Sequence, residues 1–145
     1  MTETGFTRTA LVTDGDERFV SLRRPLEVSG MGMNLIILAP GQRGRVHDHE
    51  RQEEVYLVLE GTLTLGVAGE EVDLGAGAVA RVPPGVRRQV SNRHRERVVL
   101  IALGGDGEHQ GRDGLAWASW EDTDPPRSPQ DVPLPDDLPE AERRR

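Results

Sequence analysis

GQRGRVHDHERQEEVYLVLEG, Gly41 to Gly61, and GAVARVPPGVRRQVSN, Gly77 to Asn92, are the stretches whose reading decides the fold of this chain. The first sets His47 and His49 two residues apart, with Glu53 and Glu54 just beyond them. In extended chain, residues i and i+2 point to one face, so both imidazoles converge. Two imidazoles and a carboxylate make a divalent-metal site, akin to the two-histidine, one-carboxylate arrangement of non-haem iron oxygenases. A bare His-x-His pair would read as two surface histidines in a polar loop; the glycines spaced around this one argue for a built site. The second stretch is organised around Pro83-Pro84-Gly85, a turn signal between two apolar segments.

Strand signals extend outward from both stretches. Val28 to Leu38 ends in Leu35-Ile36-Ile37-Leu38 and is broken by Ala39-Pro40-Gly41. Val55 to Leu59 leads through Glu60-Gly61 into Thr62 to Val67, and Ala68-Gly69-Glu70 connects tightly to Glu71 to Leu74. Ala78 to Val82, Val86 to Ser91 and Val98 to Leu103 follow, and Arg18 to Leu22 reads as an edge strand. Short strands at regular Gly and Pro spacing, with no helical period between them, predict an all-β antiparallel barrel or sandwich.

The chain divides into a polar lead-in over residues 1–26, a strand-dense barrel over 27–103, and a C-terminal extension over 104–145. Leu115 to Trp120 reads as one more strand or a short helical turn. From Glu121 the sequence is rich in proline and acid, too poor in apolar surface to offset its ordering entropy. Residues 121–145 are therefore expected as an extended arm or as disorder, with Trp117 and Trp120 anchoring its start to the barrel.

A length of 145 residues suits one domain, and the net charge of −7 argues against a nucleic-acid partner, which needs a positive face. No apolar run approaches membrane-spanning length, and no basic amphipathic helix stands out, so no membrane partner is expected. The N-terminal residues lack the apolar stretch of a signal peptide and the chain has no cysteine, which together predict a cytoplasmic protein. All 18 basic residues are arginine. Schiff-base lysine and cysteine-nucleophile chemistry are thereby excluded.

Gly41, His47, His49, Glu54 and Gly61, separated by five, one, four and six residues, resemble the first motif of the cupin superfamily. Gly77, Pro83, Gly85 and Asn92 resemble the second. The resemblance covers roughly residues 28–103 and implies a double-stranded β-helix, or jelly roll, with a small-molecule ligand and often a homodimeric state. It assigns metal ligation to His47, His49 and Glu54, with iron, manganese, nickel or zinc as the ion. Adjacent Glu53 and Glu54 face opposite ways on a strand, so Glu53 is expected in solvent. Glu54 shares parity with Tyr56 and Gln52, which become candidate ligand-binding residues beside Arg88.

Arg88 is the departure from the family pattern, standing three residues after Gly85 where a complete site carries a fourth ligand, histidine. A guanidinium has no free lone pair and stays protonated, so it cannot ligate a metal. Either Arg88 pairs bidentately with Glu54 and takes the place of the ion, or it swings to the barrel mouth and contacts an anionic ligand beside a three-ligand metal. Arg87 and Arg88 are consecutive, so one of them faces out. His94 lies in a turn-like stretch and His109 in a glycine-rich loop, and neither is expected at the site. Three functions stay open. The first is a metal-dependent cupin acting on a small polar or anionic molecule as an oxygenase, isomerase or decarboxylase. The second is a metal-free binding module, and the third an accessory protein whose acidic arm engages another chain.

Overall fold

Alternating apolar residues build two facing antiparallel sheets. The computed structural model describes residues 4–105 and 113–144, so His109 lies outside the described residues. One sheet has the order β1-β2-β9-β4-β7, from β1 (Phe19–Ser21), β2 (Gly32–Leu38), β9 (Val98–Gly105), β4 (Glu53–Glu60) and β7 (Val79–Val82). The other has the order β10-β3-β8-β5-β6, from β10 (Gly114–Trp117), β3 (Val46–His49), β8 (Arg88–Ser91), β5 (Thr62–Val67) and β6 (Glu70–Gly75). Leu115 to Trp117 thus runs as strand, paired with β3, and Arg18 to Leu22 supplies the edge strand β1. A single helical turn, α1 (Arg23–Leu26), has no counterpart in the sequence reading. No helix among the described residues is long and apolar enough to cross a membrane.

Period-two alternation fills the space between the sheets. Ile36, Leu38, Tyr56, Val58, Leu63, Leu65, Val90, Val98 and Leu100 point inward and are all buried. The outward set of the first sheet makes a second cluster, Leu35, Ile37 and Val99, covered by Leu22 and flanked by Leu26 and Ile101. Turns behave as their residues dictate. Ala68 and Gly69 both take positive φ, at 52° and 86°, which suits the twist of the β5–β6 hairpin. Gly61, at φ 76°, leaves no room for a side chain, because a Cβ there would sit 2.1 Å from the Arg97 carbonyl oxygen.

The residues after β10 stay on the second sheet. Trp117 is buried with the Arg87 guanidinium 3.6 Å above its ring, and Trp120 donates its indole N–H to Gln89 at 2.9 Å. Trp120 also packs against Gly66, where a Cβ would lie 2.9 Å from the indole. Residues 121–144 are irregular chain with two 3-10 turns, at Pro129–Asp131 and Glu140–Glu142. They bury Val132 and Leu138, and the Leu138 N–H donates to the Gly41 carbonyl at 2.8 Å.

Candidate functional site

The site is assembled from both sheets. β3 carries His47 and His49 in one sheet, and β4 carries Glu54 in the other. His47 is registered against Ala116 on one side and Arg88 on the other, while His49 lies opposite Gly114 and Glu54 opposite Gly104. Glycine at these two positions lets neighbours close in, since a Cβ would lie 3.1 Å from the Pro129 ring at Gly114 and 3.4 Å from the Gln52 side-chain oxygen at Gly104. Glu53, by contrast, faces out and pairs with Arg81, as alternation requires.

Both imidazoles turn Nε2 to the same carboxylate. His47 Nε2 is 3.5 Å from Glu54 Oε1, and His49 Nε2 is 3.5 Å from Oε2. The rings meet edge to face with centroids 5.1 Å apart. One donor atom from each of the three residues falls within 4.8 Å of the others, the separation a single cation can span. Of the far ring nitrogens, His47 Nδ1 lies 3.2 Å from the Arg45 carbonyl, whereas His49 Nδ1 is buried without a hydrogen-bond partner among the described residues, Asp113 Oδ2 standing 3.9 Å away. A proton held at His47 Nδ1 leaves its Nε2 lone pair free for a metal, the usual outer-shell arrangement around a ligating histidine. The donor set therefore fits a divalent ion, with three protein ligands and open positions.

Charge at the site is finely balanced. Burial works against ionisation of Glu54, but hydrogen bonds and positive charge from His47 and His49 outweigh it and hold the carboxyl well below its ordinary range. Tyr56, fully buried, donates its hydroxyl to Glu54 Oε1. Burial and the Glu54 charge push that phenol well above its ordinary value, so it remains a donor. Asp113 is also ionised below its usual range: burial opposes this, and the backbone N–H groups of Gln52 and Arg51 win. The Gln52 N–H donates to Asp113 at 2.8 Å, which ties β4's start to β10 behind His49.

Arg88 points inward and is fully buried. One terminal nitrogen lies 3.4 Å from Glu54 Oε1, and the other donates to the Pro83 carbonyl at 2.9 Å. The pairing with Glu54 is thus through one nitrogen and not the bidentate fork, because Pro83 takes the second arm. Nor does Arg88 reach the barrel mouth, since its Nε is buried without an acceptor among the described residues. Arg87, the outward neighbour, stacks on Trp117. His94 sits away from the site, 3.2 Å from Asp73.

In front of the three donors opens a cavity of about 220 Å³. Its wall is apolar at Phe19, Ile36, Val90, Ala102 and Pro129, and polar at Asn34, Arg45 and the three donors. Arg88, Tyr56 and Gln52 are not in this lining; Arg88 and Tyr56 stand behind it, where they grip Glu54. Two contributors went unread in the sequence. Asp113 reaches the site only through β10 pairing, for which no local signal exists. Arg45 shares parity with His47, and that two-residue spacing could have found it.

A family model described as a cupin domain matches residues 34–104. Among solved structures, a cupin protein from Bacteroides fragilis is 22% identical with a TM-score of 0.64, over 73% of this chain and 86% of that one. The TT1209 protein of Thermus thermophilus is 30% identical with a TM-score of 0.56, over 66% of this chain and 89% of that one. A sugar phosphate isomerase from a cupin superfamily, from Silicibacter pomeroyi, is 24% identical with a TM-score of 0.61, over 80% of this chain and 78% of that one. No curated protein matches the chain.

Proposed function

We propose, from the premise that this chain belongs to the cupin superfamily, that its barrel holds one divalent cation on His47, His49 and Glu54 and binds or converts a small polar or anionic molecule beside it. The observation that carries this reading is the convergence of two Nε2 atoms and a carboxylate from opposite sheets, with His47 Nδ1 turned to the Arg45 carbonyl. When bound, such an ion supplies Lewis acidity and open positions for oxygen donors of the ligand. The chain's own residues set the stage. Tyr56 and Arg88 fix Glu54 through Oε1, leaving Oε2 toward His49, while the Arg45 carbonyl orients the His47 ring. The Arg88 and Glu54 charges cancel, so the charge of a bound ion is left for an anionic ligand to neutralise.

One observation favours a second reading, a metal-free ligand-binding barrel: the fully buried Arg88 already lies 3.4 Å from Glu54 as its counter-charge. Calorimetric titration of chelator-treated protein with iron(II), manganese, nickel and zinc separates the two. The metal reading expects at most one ion per chain, with uptake lost in His47→Ala, His49→Ala and Glu54→Gln. No uptake of any of the four ions would leave the metal-free reading standing, and uptake indifferent to all three substitutions would remove these residues as ligands.

The outer face of the first sheet supports a homodimer. The buried cluster there continues into Ile101, Leu57 and Val79, which are registered side by side, and Val79 is 64% exposed. Covering that row with a second copy would remove it from water. Light scattering should give a dimer mass that Val79→Asp reduces to the monomer; a monomeric parent protein would refute this.

A further inference from the structure

We infer that Arg45 selects the ligand of this cavity, holding the carboxylate of a small, largely apolar monoanion whose body packs on the apolar wall beside the His47–His49–Glu54 group. The inference deepens the proposed function and rests on its reading of the cavity as the ligand site. Arg45 stands two residues before His47 and lines the same cavity. Its Nε donates to the Val132 carbonyl of the C-terminal segment, which fixes the plane of the guanidinium. It forms no ion pair among the described residues, and its two terminal nitrogens have no acceptor there. The other arginines beside that segment are engaged: Arg43 with the Asp136 carbonyl, and Arg18 with Asp137 and the Arg43 carbonyl. A planar cation with two free donors facing a cavity is a fork for a planar anion.

The rest of the cavity defines the body of that anion. Phe19, Ile36, Val90, Ala102 and Pro129 offer no hydrogen-bond partner through their side chains, so a polyhydroxylated ligand would find side-chain partners only at Asn34, Arg45 and the three donors, and hydroxyls set against the apolar wall would lose water without compensation. The volume of about 220 Å³ lies below the roughly 300–1,000 Å³ of sites for drug-sized ligands. One fork and an apolar wall specify a short monocarboxylate rather than a sugar acid or a sugar phosphate.

The test uses hexanoate, its neutral isostere hexanamide, and glucuronate, titrated by ligand-observed nuclear magnetic resonance into full-length protein. Each titration is run on chelator-treated protein and again with added zinc. Hexanoate should bind at least tenfold more tightly than hexanamide and glucuronate in the metal-free protein. Arg45→Gln should shrink the hexanoate preference over hexanamide to threefold or less, and Arg45→Lys should keep part of it. If Arg45 only ties down the C-terminal segment, Arg45→Gln lowers the melting temperature and leaves the preference intact, which overturns the inference. Tighter binding of glucuronate overturns it as well. A preference that depends on Arg45 without any zinc uptake would sustain the inference while removing the metal reading; zinc uptake with no such preference would do the reverse.

Discussion

Replacing Arg88 with histidine tests the balance at the heart of the site. Arg88 lies 3.4 Å from Glu54 Oε1 in a fully buried position. At an effective dielectric of about 20 that contact carries a gross attraction of about 5 kcal/mol. Desolvation of the guanidinium offsets much of it, leaving the net value of a hydrogen bond to a charged group, about 1.5–3 kcal/mol. An ion that uses Glu54 competes against that grip. Arg88→His removes the competitor and, opposite His47 in the register, presents one more imidazole to the same space. The zinc dissociation constant should therefore fall by roughly ten- to a hundredfold, taking about 1.4 kcal/mol per decade. The assay is calorimetric titration of chelator-treated protein at pH 8, with circular dichroism to verify folding. Arg88→Gln, which removes the cation without adding a donor, should recover part of the gain. A folded Arg88→His variant that binds zinc within threefold of the parent protein, or more weakly, would refute the reasoning.

Tyr56→Phe keeps the buried ring but deletes the hydroxyl given to Glu54, and should cost the metal-free protein about 1.5–3 kcal/mol in urea unfolding; a loss under about 0.5 kcal/mol contradicts the assigned bond. Asp113 has a folded pKa below its ordinary 3.8, so it stabilises the fold above that pH and the contribution disappears as pH falls through the lower folded value. Asp113→Asn should accordingly lower stability at pH 7 and flatten the acid limb, and urea midpoints that fall in parallel between pH 7 and 3 would count against this. Gly61→Ala, whose Cβ would strike the Arg97 carbonyl at 2.1 Å, should cost about 2–4 kcal/mol. Gly77→Ala, at φ 91° with open space around it, should cost only the left-handed strain of about 1–2 kcal/mol, and equal losses in the two variants would refute the steric account.

Much of this architecture is written in local pattern. Period-two alternation put His47, His49 and Glu54 on inward faces and Glu53 outside, and the Gly and Pro punctuation located the hairpin after Val67 and the turn at Pro83-Pro84-Gly85, because strand parity and turn geometry are properties of neighbours in the chain. The same reasoning required one of Arg87 and Arg88 to face out, yet only packing chose Arg87, by seating it on Trp117. Arg88's single contact with Glu54 was likewise settled by the Pro83 carbonyl claiming its other arm. Asp113 joins the site from β10, and Arg45 acquires its fixed plane from Val132. Those partners lie 64 and 87 residues away along the chain (113 − 49 and 132 − 45), beyond the reach of any periodic signal. Which groups meet across such separations depends on how the two sheets close, and that is a choice made by the buried core as a whole.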